Sequence, residues 1–328
     1  MLRWLRQSQL RFWLPNLVTG ANISWGVLSC FFSASGNHVA AAWFIVWATL
    51  GDKLDGSVAR LVHGSSNFGV QLDSFSDFLT FGVAPATLAF SYLHHNPAFG
   101  YSDGWREVAL YAITLFYALA VTFRLARFNI TTMPEWSPRI FFGVPTTIVG
   151  GTLGALFLSI IKYGAVGTAA RERMDDNYMF GGLHLGPGAM EAFPIYMLIG
   201  AILMVSTLRV PKLGRTPWKL ANVVIVLLTV GGYVFGPLHI LPEYCFAYGM
   251  TTVFVSLVYH VAAPHARKVA PPPLFAGGEA AERVARRRVR TPRQHGRHRK
   301  TTGSHEVPPA PPESPKSPES PRSKTGTD

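Results

Sequence analysis

Residues 51–85 read GDKLDGSVARLVHGSSNFGVQLDSFSDFLTFGVAP, and this stretch sets aspartates into a largely apolar part of the chain. Asp52 and Asp55 are three residues apart. Asp73 and Asp77 are four residues apart. On a helix, either spacing puts both side chains on one face, about one turn apart. Two neighbouring antiparallel helices would therefore present four carboxylates to one point.

The whole chain has the composition of a membrane protein. Of its 328 residues, 15% are charged and 48% are hydrophobic, whereas a soluble domain usually has about 25% charged residues. A membrane-spanning helix needs about 20 mainly apolar residues. We therefore predict an all-α fold, a polytopic membrane helical bundle of about eight transmembrane helices. The eight apolar segments are 17–34, 39–58, 72–93, 107–126, 142–163, 191–208, 219–236 and 241–262.

The basic residues between the predicted spans indicate the orientation. Lys and Arg concentrate in alternate loops and in the C-terminal tail, and cytoplasmic loops are the ones that carry such an excess. The pattern predicts a multi-pass protein of the cell membrane. Its two termini and the four aspartates are expected on the cytoplasmic side.

The two ends of the chain differ from its apolar body. Residues 1–14 alternate apolar and basic side chains, which fits either a short amphipathic segment on the membrane surface or a frayed basic terminus. Residues 264–328 are rich in Pro, Ser, Arg and Lys, a composition that predicts a disordered cytoplasmic tail. Such a basic tail after an apolar helix is attracted to anionic lipid headgroups, so we expect no nucleic acid partner. The membrane domain is then 15–263.

The four aspartates favour a metal site. Carboxylates inside a membrane are costly to insert and are functional by default. Ligation by oxygen alone suits a hard cation such as Mg²⁺ or Mn²⁺, and four carboxylates have enough oxygens for two ions bridged by a phosphate group. The alternative for one or two of these residues is a helix cap at an interface. An ion or metal transporter is a rival function, although it would carry charges near the middle of several spans.

Small residues and an arginine accompany the aspartates. Gly56 and Ala59 lie one turn apart beside Asp55, so they leave either a groove for a ligand or a site of close helix packing. Gly69 leaves a second gap. Arg60 offers a fork that suits phosphate, and its alternative role is an interfacial anchor.

These residues together form a pattern of eight fixed positions across 26 residues, D-x2-D-G-x2-A-R-x8-G-x3-D-x3-D. The pattern resembles the signature of the CDP-alcohol phosphatidyltransferase family. The resemblance implies a six-helix catalytic core and two divalent metals held by the aspartates. It also implies a CDP-linked lipid donor over Gly56, Ala59 and Gly69, with Asp77 as the base toward the acceptor hydroxyl. The positions of the pattern are Asp52, Asp55, Gly56, Ala59, Arg60, Gly69, Asp73 and Asp77.

Flanking segments are similar to the phosphatidylserine synthases of that family. The similarity begins at Pro15-Asn16-Leu17-Val18-Thr19 and includes Phe142-Gly143-Val144-Pro145. It implies that Asn16 and Thr19 help to hold the phosphates of the donor, CDP-diacylglycerol. It also implies L-serine as acceptor, with choline, glycerol 3-phosphate or inositol as alternatives, and a homodimer as the assembly.

Three polar residues at the end of the fourth predicted span are candidates for binding the acceptor. Arg124 and Arg127 are three residues apart and therefore share a helix face, and Asn129 follows them. Their guanidinium groups suit a carboxylate or a phosphate. The alternative is that these arginines only reflect the basic excess of cytoplasmic loops.

Overall fold

A computed structural model describes residues 10–62, 66–130, 140–164, 174, 176–211 and 219–262. The predicted tail, 264–328, lies outside the described residues, as does most of the predicted N-terminal segment, 1–14. Within the described residues the fold is helical, with one short pair of strands. The elements are α1 (Leu10–Ala34), α2 (His38–Val62), α3 (Asn67–Asp77), a π-helix (Phe78–Val83), α4 (Ala84–His94), a 3-10 helix (Pro97–Phe99), α5 (Gly104–Ile130), β1 (Ile140–Phe142), α6 (Thr146–Tyr163), α7 (Gly188–Glu191), α8 (Phe193–Val205), β2 (Arg209–Pro211), α9 (Lys219–Phe235) and α10 (Pro242–Ala262).

The prediction of an all-α membrane bundle is confirmed. Five of the described helices are long and apolar enough to cross a membrane, and α9 is a shorter apolar helix. The prediction of about eight spans exceeds this number. One reason is that α2 carries the charged residues of the signature. Another is that the third predicted span is divided among α3, the π-helix and α4. The five spans are Trp13–Ala34, Gly104–Asn129, Thr146–Tyr163, Gly188–Val205 and Pro242–Ala262.

The π-helix directly follows Asp77 and interrupts the third predicted span. A π-helix shifts the hydrogen-bond pattern by one residue, and such segments are frequent at functional sites. Here Tyr117, from α5, donates its hydroxyl proton to the carbonyl oxygen of Phe81 at 2.8 Å. Thr80 donates to the carbonyl oxygen of Asn22 on α1, at 3.3 Å. These contacts hold the irregular segment between α1 and α5.

Helix α6 is the centre of the bundle, because nearly all of its residues are buried. It packs against α2 and α10. Its glycines make these contacts close: a methyl group on Gly151 would lie 2.4 Å from Thr49 Oγ1, and one on Gly154 would lie 3.1 Å from Ile45 Cγ2. Small residues permit such backbone approach between membrane helices. The packing fixes where the first residue of α6 lies.

The segment before α6 is not helical, although the sequence predicts a helix over 142–163. Residues Ile140–Phe142 form β1, which pairs antiparallel with β2. Gly143 has a φ of 75°, a conformation that side chains disfavour. A methyl group there would lie 2.1 Å from the carbonyl oxygen of Met204. The chain therefore turns at Gly143 and enters α6 through Pro145, which suits a helix start.

A buried ion pair lies where α6 ends. Lys162 contacts both carboxylate oxygens of Glu243 on α10 at 3.2 Å, and both side chains are almost fully buried. Glu243 also accepts hydrogen bonds from the Tyr163 hydroxyl at 3.0 Å and the Met179 amide at 2.9 Å. Lys162 donates in addition to the carbonyl oxygen of Asn177. The network holds the segment around residues 177–180 against α6 and α10.

Candidate active site

Three aspartates converge where α2 and α3 meet. Asp52 lies on α2, whereas Asp73 and Asp77 lie on α3. Each offers a carboxylate oxygen, and these oxygens lie within 4.8 Å of one another. At this separation two negative charges repel by on the order of 3 kcal/mol, for an effective dielectric constant of about 20. The acidic cluster, defined as Asp52, Asp73 and Asp77, therefore suits a bound cation.

Three other residues of the signature are described only in their backbone. Asp55, Ala59 and Arg60 follow Asp52 on α2, three, seven and eight residues along the chain, but their side chains fall outside the described part of the structure. Their predicted contacts with metal and donor stay predictions. Gly56 is half-buried and lies one turn along α2 from Asp52, on the same face.

The first residue of α6 contacts the acidic cluster, which the sequence did not predict. The Thr146 hydroxyl donates to Asp77 Oδ2 at 3.0 Å. A helix N-terminus favours nearby negative charge. The signal in the sequence was Pro145, a frequent first-turn residue, followed by two threonines.

The two arginines of α5 have different surroundings. Arg124 is buried, donates to Thr146 Oγ1 at 3.0 Å, and interacts electrostatically with Asp77 and Asp52. Arg127 instead donates to backbone carbonyl oxygens at 2.8 to 3.2 Å. Its guanidinium group thereby joins the end of α8 to β1. These carbonyl oxygens belong to Phe142, Met204, Val205 and Ser206.

Asn129 is the third candidate for binding the acceptor. Its side-chain amide donates to Ser74 Oγ at 2.9 Å, and this bond joins the end of α5 to α3. Ser74 is the neighbour of Asp73 in the chain. Asn129 is exposed, so this contact links the surfaces of α5 and α3 one residue away from Asp73 in the chain.

A groove lies between the start of α1 and the start of α3. It has a volume of about 470 Å³ and is lined by two polar side chains, Asn16 and Ser66, and by apolar and aromatic side chains. Ser66 caps α3 by accepting a hydrogen bond from the Gly69 amide at 3.0 Å. A methyl group on Gly69 would lie 3.0 Å from Asn16 Oδ1, so the glycine keeps this end of the groove open. The lining residues are Trp13, Asn16, Leu17, Ser66, Phe68 and Leu72.

Thr19, which the sequence analysis grouped with Asn16, has a different environment. It is buried, and its hydroxyl donates to the carbonyl oxygen of Pro15 on its own helix at 3.1 Å. It is not one of the residues that line the groove. The structure thus brings Asn16 to the groove and directs the Thr19 hydroxyl toward the backbone of α1.

Comparison with known proteins decides the family. The sequence profile of the CDP-alcohol phosphatidyltransferases matches residues 12–173, which include the acidic cluster, both arginines and the start of α6. The chain is also 32% identical, over 227 residues, to a CDP-diacylglycerol–serine O-phosphatidyltransferase of Helicobacter pylori. That alignment covers 69% of this chain and 84% of the relative. The chain belongs to the CDP-alcohol phosphatidyltransferase family.

Two further relatives of this phosphatidyltransferase come from other organisms. The chain is 33% identical over 153 residues to a CDP-diacylglycerol–serine O-phosphatidyltransferase of Bacillus subtilis, covering 45% of the chain and 81% of the relative. It is 33% identical over 151 residues to an archaetidylserine synthase of Methanothermobacter thermautotrophicus, covering 44% of the chain and 58% of the relative. The family resemblance predicted from the signature is thereby confirmed, and this membrane protein is an enzyme of the phosphatidyltransferase class.

Proposed function

We propose that the enzyme transfers the phosphatidyl group of CDP-diacylglycerol to the hydroxyl group of L-serine, which gives phosphatidylserine and CMP. The observation that carries the proposal is the convergence of three carboxylates within 4.8 Å on α2 and α3. A groove between α1 and α3 offers space for part of the donor. Relatives named for the serine reaction support the choice of acceptor.

The groove between α1 and α3 suits the donor. Its apolar and aromatic lining fits a lipid or a base, and Asn16 offers a polar group to a phosphate. Gly56 and Ala59 on α2, with Gly69 on α3, would let the diphosphate approach the backbone, because none of them carries a side chain larger than a methyl group. Arg60 would offer a guanidinium fork to the same group.

The carboxylates of Asp52, Asp73 and Asp77 would hold Mg²⁺ or Mn²⁺, with Asp55 as a fourth ligand for a pair of ions. Oxygen ligands are those that both cations prefer. When bound, such cations neutralise the diphosphate and stabilise the charge on the leaving group. The protein contributes an arrangement of acids on two successive helices, α2 and α3.

The acceptor hydroxyl is activated by Asp77. The serine oxygen forms a bond to the phosphorus on the diacylglycerol side, the bond from that phosphorus to the CMP oxygen breaks, and the serine proton goes to Asp77. Arg124 is buried beside Asp77, so its guanidinium group is our candidate for binding the serine carboxylate. We do not assign Arg127 to the binding of the acceptor, because its guanidinium group donates to backbone carbonyl oxygens. Asn129 links α5 to α3 through its hydrogen bond to Ser74, the residue that follows Asp73.

We also propose that the protein crosses the cell membrane several times, with the acidic cluster and both termini on the cytoplasmic side. The basic residues in alternate loops support this orientation. The donor would then enter from the inner leaflet. A homodimer is the assembly that the family resemblance implies, and light scattering of the purified protein in detergent would measure it.

An acceptor screen tests the function. The purified protein receives CDP-diacylglycerol and Mn²⁺ with serine, choline, glycerol 3-phosphate or inositol, and CMP release and the lipid product are measured. Among the four alcohols, we expect only serine to give CMP release, with phosphatidylserine as the lipid product. EDTA should abolish both. CMP release that depends on another alcohol would identify that alcohol as the acceptor instead of serine. Metal uptake into vesicles without CMP release would favour the rival transporter.

A further inference from the structure

The Thr146 hydroxyl group joins two charged residues of the active site. Its Oγ1 donates to Asp77 Oδ2 at 3.0 Å and accepts a hydrogen bond from Arg124 Nη1 at 3.0 Å. Thr146 is fully buried, and both charged partners are buried as well. A hydroxyl has one proton to donate and lone pairs to accept, so this arrangement satisfies both directions at once.

We propose that Thr146 is a positioning residue that fixes the orientation of the Asp77 carboxylate for the transfer reaction. The inference rests on the proposed function. With the hydroxyl in place, one oxygen of Asp77 is held by Thr146, and Arg124 stays one hydrogen bond away from the carboxylate. Without it, Arg124 and Asp77 would approach each other directly, because opposite charges in a buried site attract strongly. Asp77 would then turn away from the other acids.

Hydrogen bonds of the backbone before α6 fix the position of Thr146 between Asp77 and Arg124. The Gly143 amide donates to the carbonyl oxygen of Leu208 at 2.8 Å, and the Val144 amide donates to that of Leu203 at 3.1 Å. Arg127 holds the carbonyl oxygen of Phe142 at 2.8 Å. These bonds tie the entry of α6 to the end of α8, so the position of Thr146 is set by the protein rather than by a ligand.

Substitutions at Thr146 separate the hydroxyl from the shape of the side chain. Thr146→Val keeps the shape and removes the hydroxyl, whereas Thr146→Ser keeps the hydroxyl. Thr146→Ala provides a second variant without the hydroxyl if the valine variant does not fold. Thr114→Val is the matched control, because Thr114 is also buried and donates only to carbonyl oxygens of its own helix, Leu110 at 2.8 Å and Tyr111 at 3.1 Å.

Two measurements on the purified full chain test whether Thr146 orients Asp77. They are the Mn²⁺ affinity, by electron paramagnetic resonance, and kcat for serine-dependent CMP release. Loss of a group that orients a metal ligand typically costs about 10- to 100-fold in metal affinity or activity. We expect losses of this size for Thr146→Val or Thr146→Ala, and values within about threefold of the unsubstituted protein for Thr146→Ser and Thr114→Val.

Unchanged Mn²⁺ affinity and kcat in Thr146→Val would overturn the inference. An equal loss in Thr114→Val would also overturn it, because the effect would then be one of general stability. The proposed function fails separately, if the unsubstituted protein releases no CMP with serine. In that case the Mn²⁺ titration of the same variants still decides the role of Thr146.

Discussion

At the scale of single residues, the acidic cluster gives the most specific prediction about the reaction. Asp73→Asn keeps the size of the side chain and removes one negative charge from the cluster. Because removal of one group that stabilises a transition state costs about 100-fold or more, we expect kcat to fall by at least that factor. The measurement is CMP release at saturating donor, serine and Mn²⁺.

The matched control for this variant is Asp103→Asn, since Asp103 is exposed and lies before α5, away from the cluster. It should keep full activity. Full activity in Asp73→Asn would show that Asp73 takes no part in the reaction, and it would remove the basis for the metal site.

The two arginines of α5 give a second prediction at this scale. Arg124→Lys keeps the charge but loses the planar fork that pairs with a carboxylate. The loss of one hydrogen bond to a charged group, about 1.5 kcal/mol, should raise the KM for serine by about tenfold and leave the KM for CDP-diacylglycerol nearly unchanged. Steady-state kinetics with each substrate varied in turn measures both constants.

Arg127→Lys is the comparison for Arg124. Its guanidinium group holds backbone carbonyl oxygens, so the substitution should lower the thermal stability and leave the KM for serine close to its original value. A larger rise in the serine KM for Arg127→Lys than for Arg124→Lys would reverse our assignment of the acceptor carboxylate.

At the scale of elements, the buried pair at the end of α6 tests the packing of the bundle. Glu243→Gln removes the charge that compensates Lys162, and breaking one partner of a buried pair typically costs about 3 to 5 kcal/mol. Both side chains are almost fully buried, so this range applies. We expect a marked fall in the unfolding temperature in detergent.

Glu191→Gln serves as the control, because the pair of Arg106 and Glu191 is one-third exposed. Exposed pairs contribute little to stability, so this variant should unfold close to the original temperature. Equal unfolding temperatures for the two variants would mean that the Lys162 network does not stabilise α6 against α10.

The elements also show how far the sequence can predict this fold. Each predicted span overlaps a described helix, because long apolar segments identify membrane helices, although the fifth span begins four residues too early, at 142 instead of 146. The π-helix and β1 were missed, since FLTFGV and IFF carry no local mark that separates them from an ordinary apolar helix. Only tertiary contacts, such as Tyr117 to Phe81, select these conformations.

The site was predictable to the same degree. The spacing of the aspartates indicates their shared helix faces, and the structure brings Asp52, Asp73 and Asp77 together. The difference between Arg124 and Arg127 could not be predicted, because identical side chains on one face acquire their roles from the carbonyl oxygens and threonine that pack against them. The contact of Thr146 with Asp77 could not be predicted either, because it depends on the turn at Gly143, which is also a tertiary feature.

At the scale of the whole molecule, a membrane bundle carries the cluster of three carboxylates that we propose as the site of a metal-dependent transfer. Five described helices are long and apolar enough to span a membrane, and the buried α6 carries Thr146 to the acidic cluster. The central claim is that this cluster holds a divalent cation while the donor occupies the groove between α1 and α3.

Anomalous diffraction at the manganese edge, from crystals grown with Mn²⁺ and CDP-diacylglycerol, tests that claim most directly. The account predicts an anomalous peak among the carboxylates of Asp52, Asp73 and Asp77, with the donor diphosphate beside it. A fully active preparation whose manganese lies elsewhere, with these three carboxylates free of metal, would contradict it.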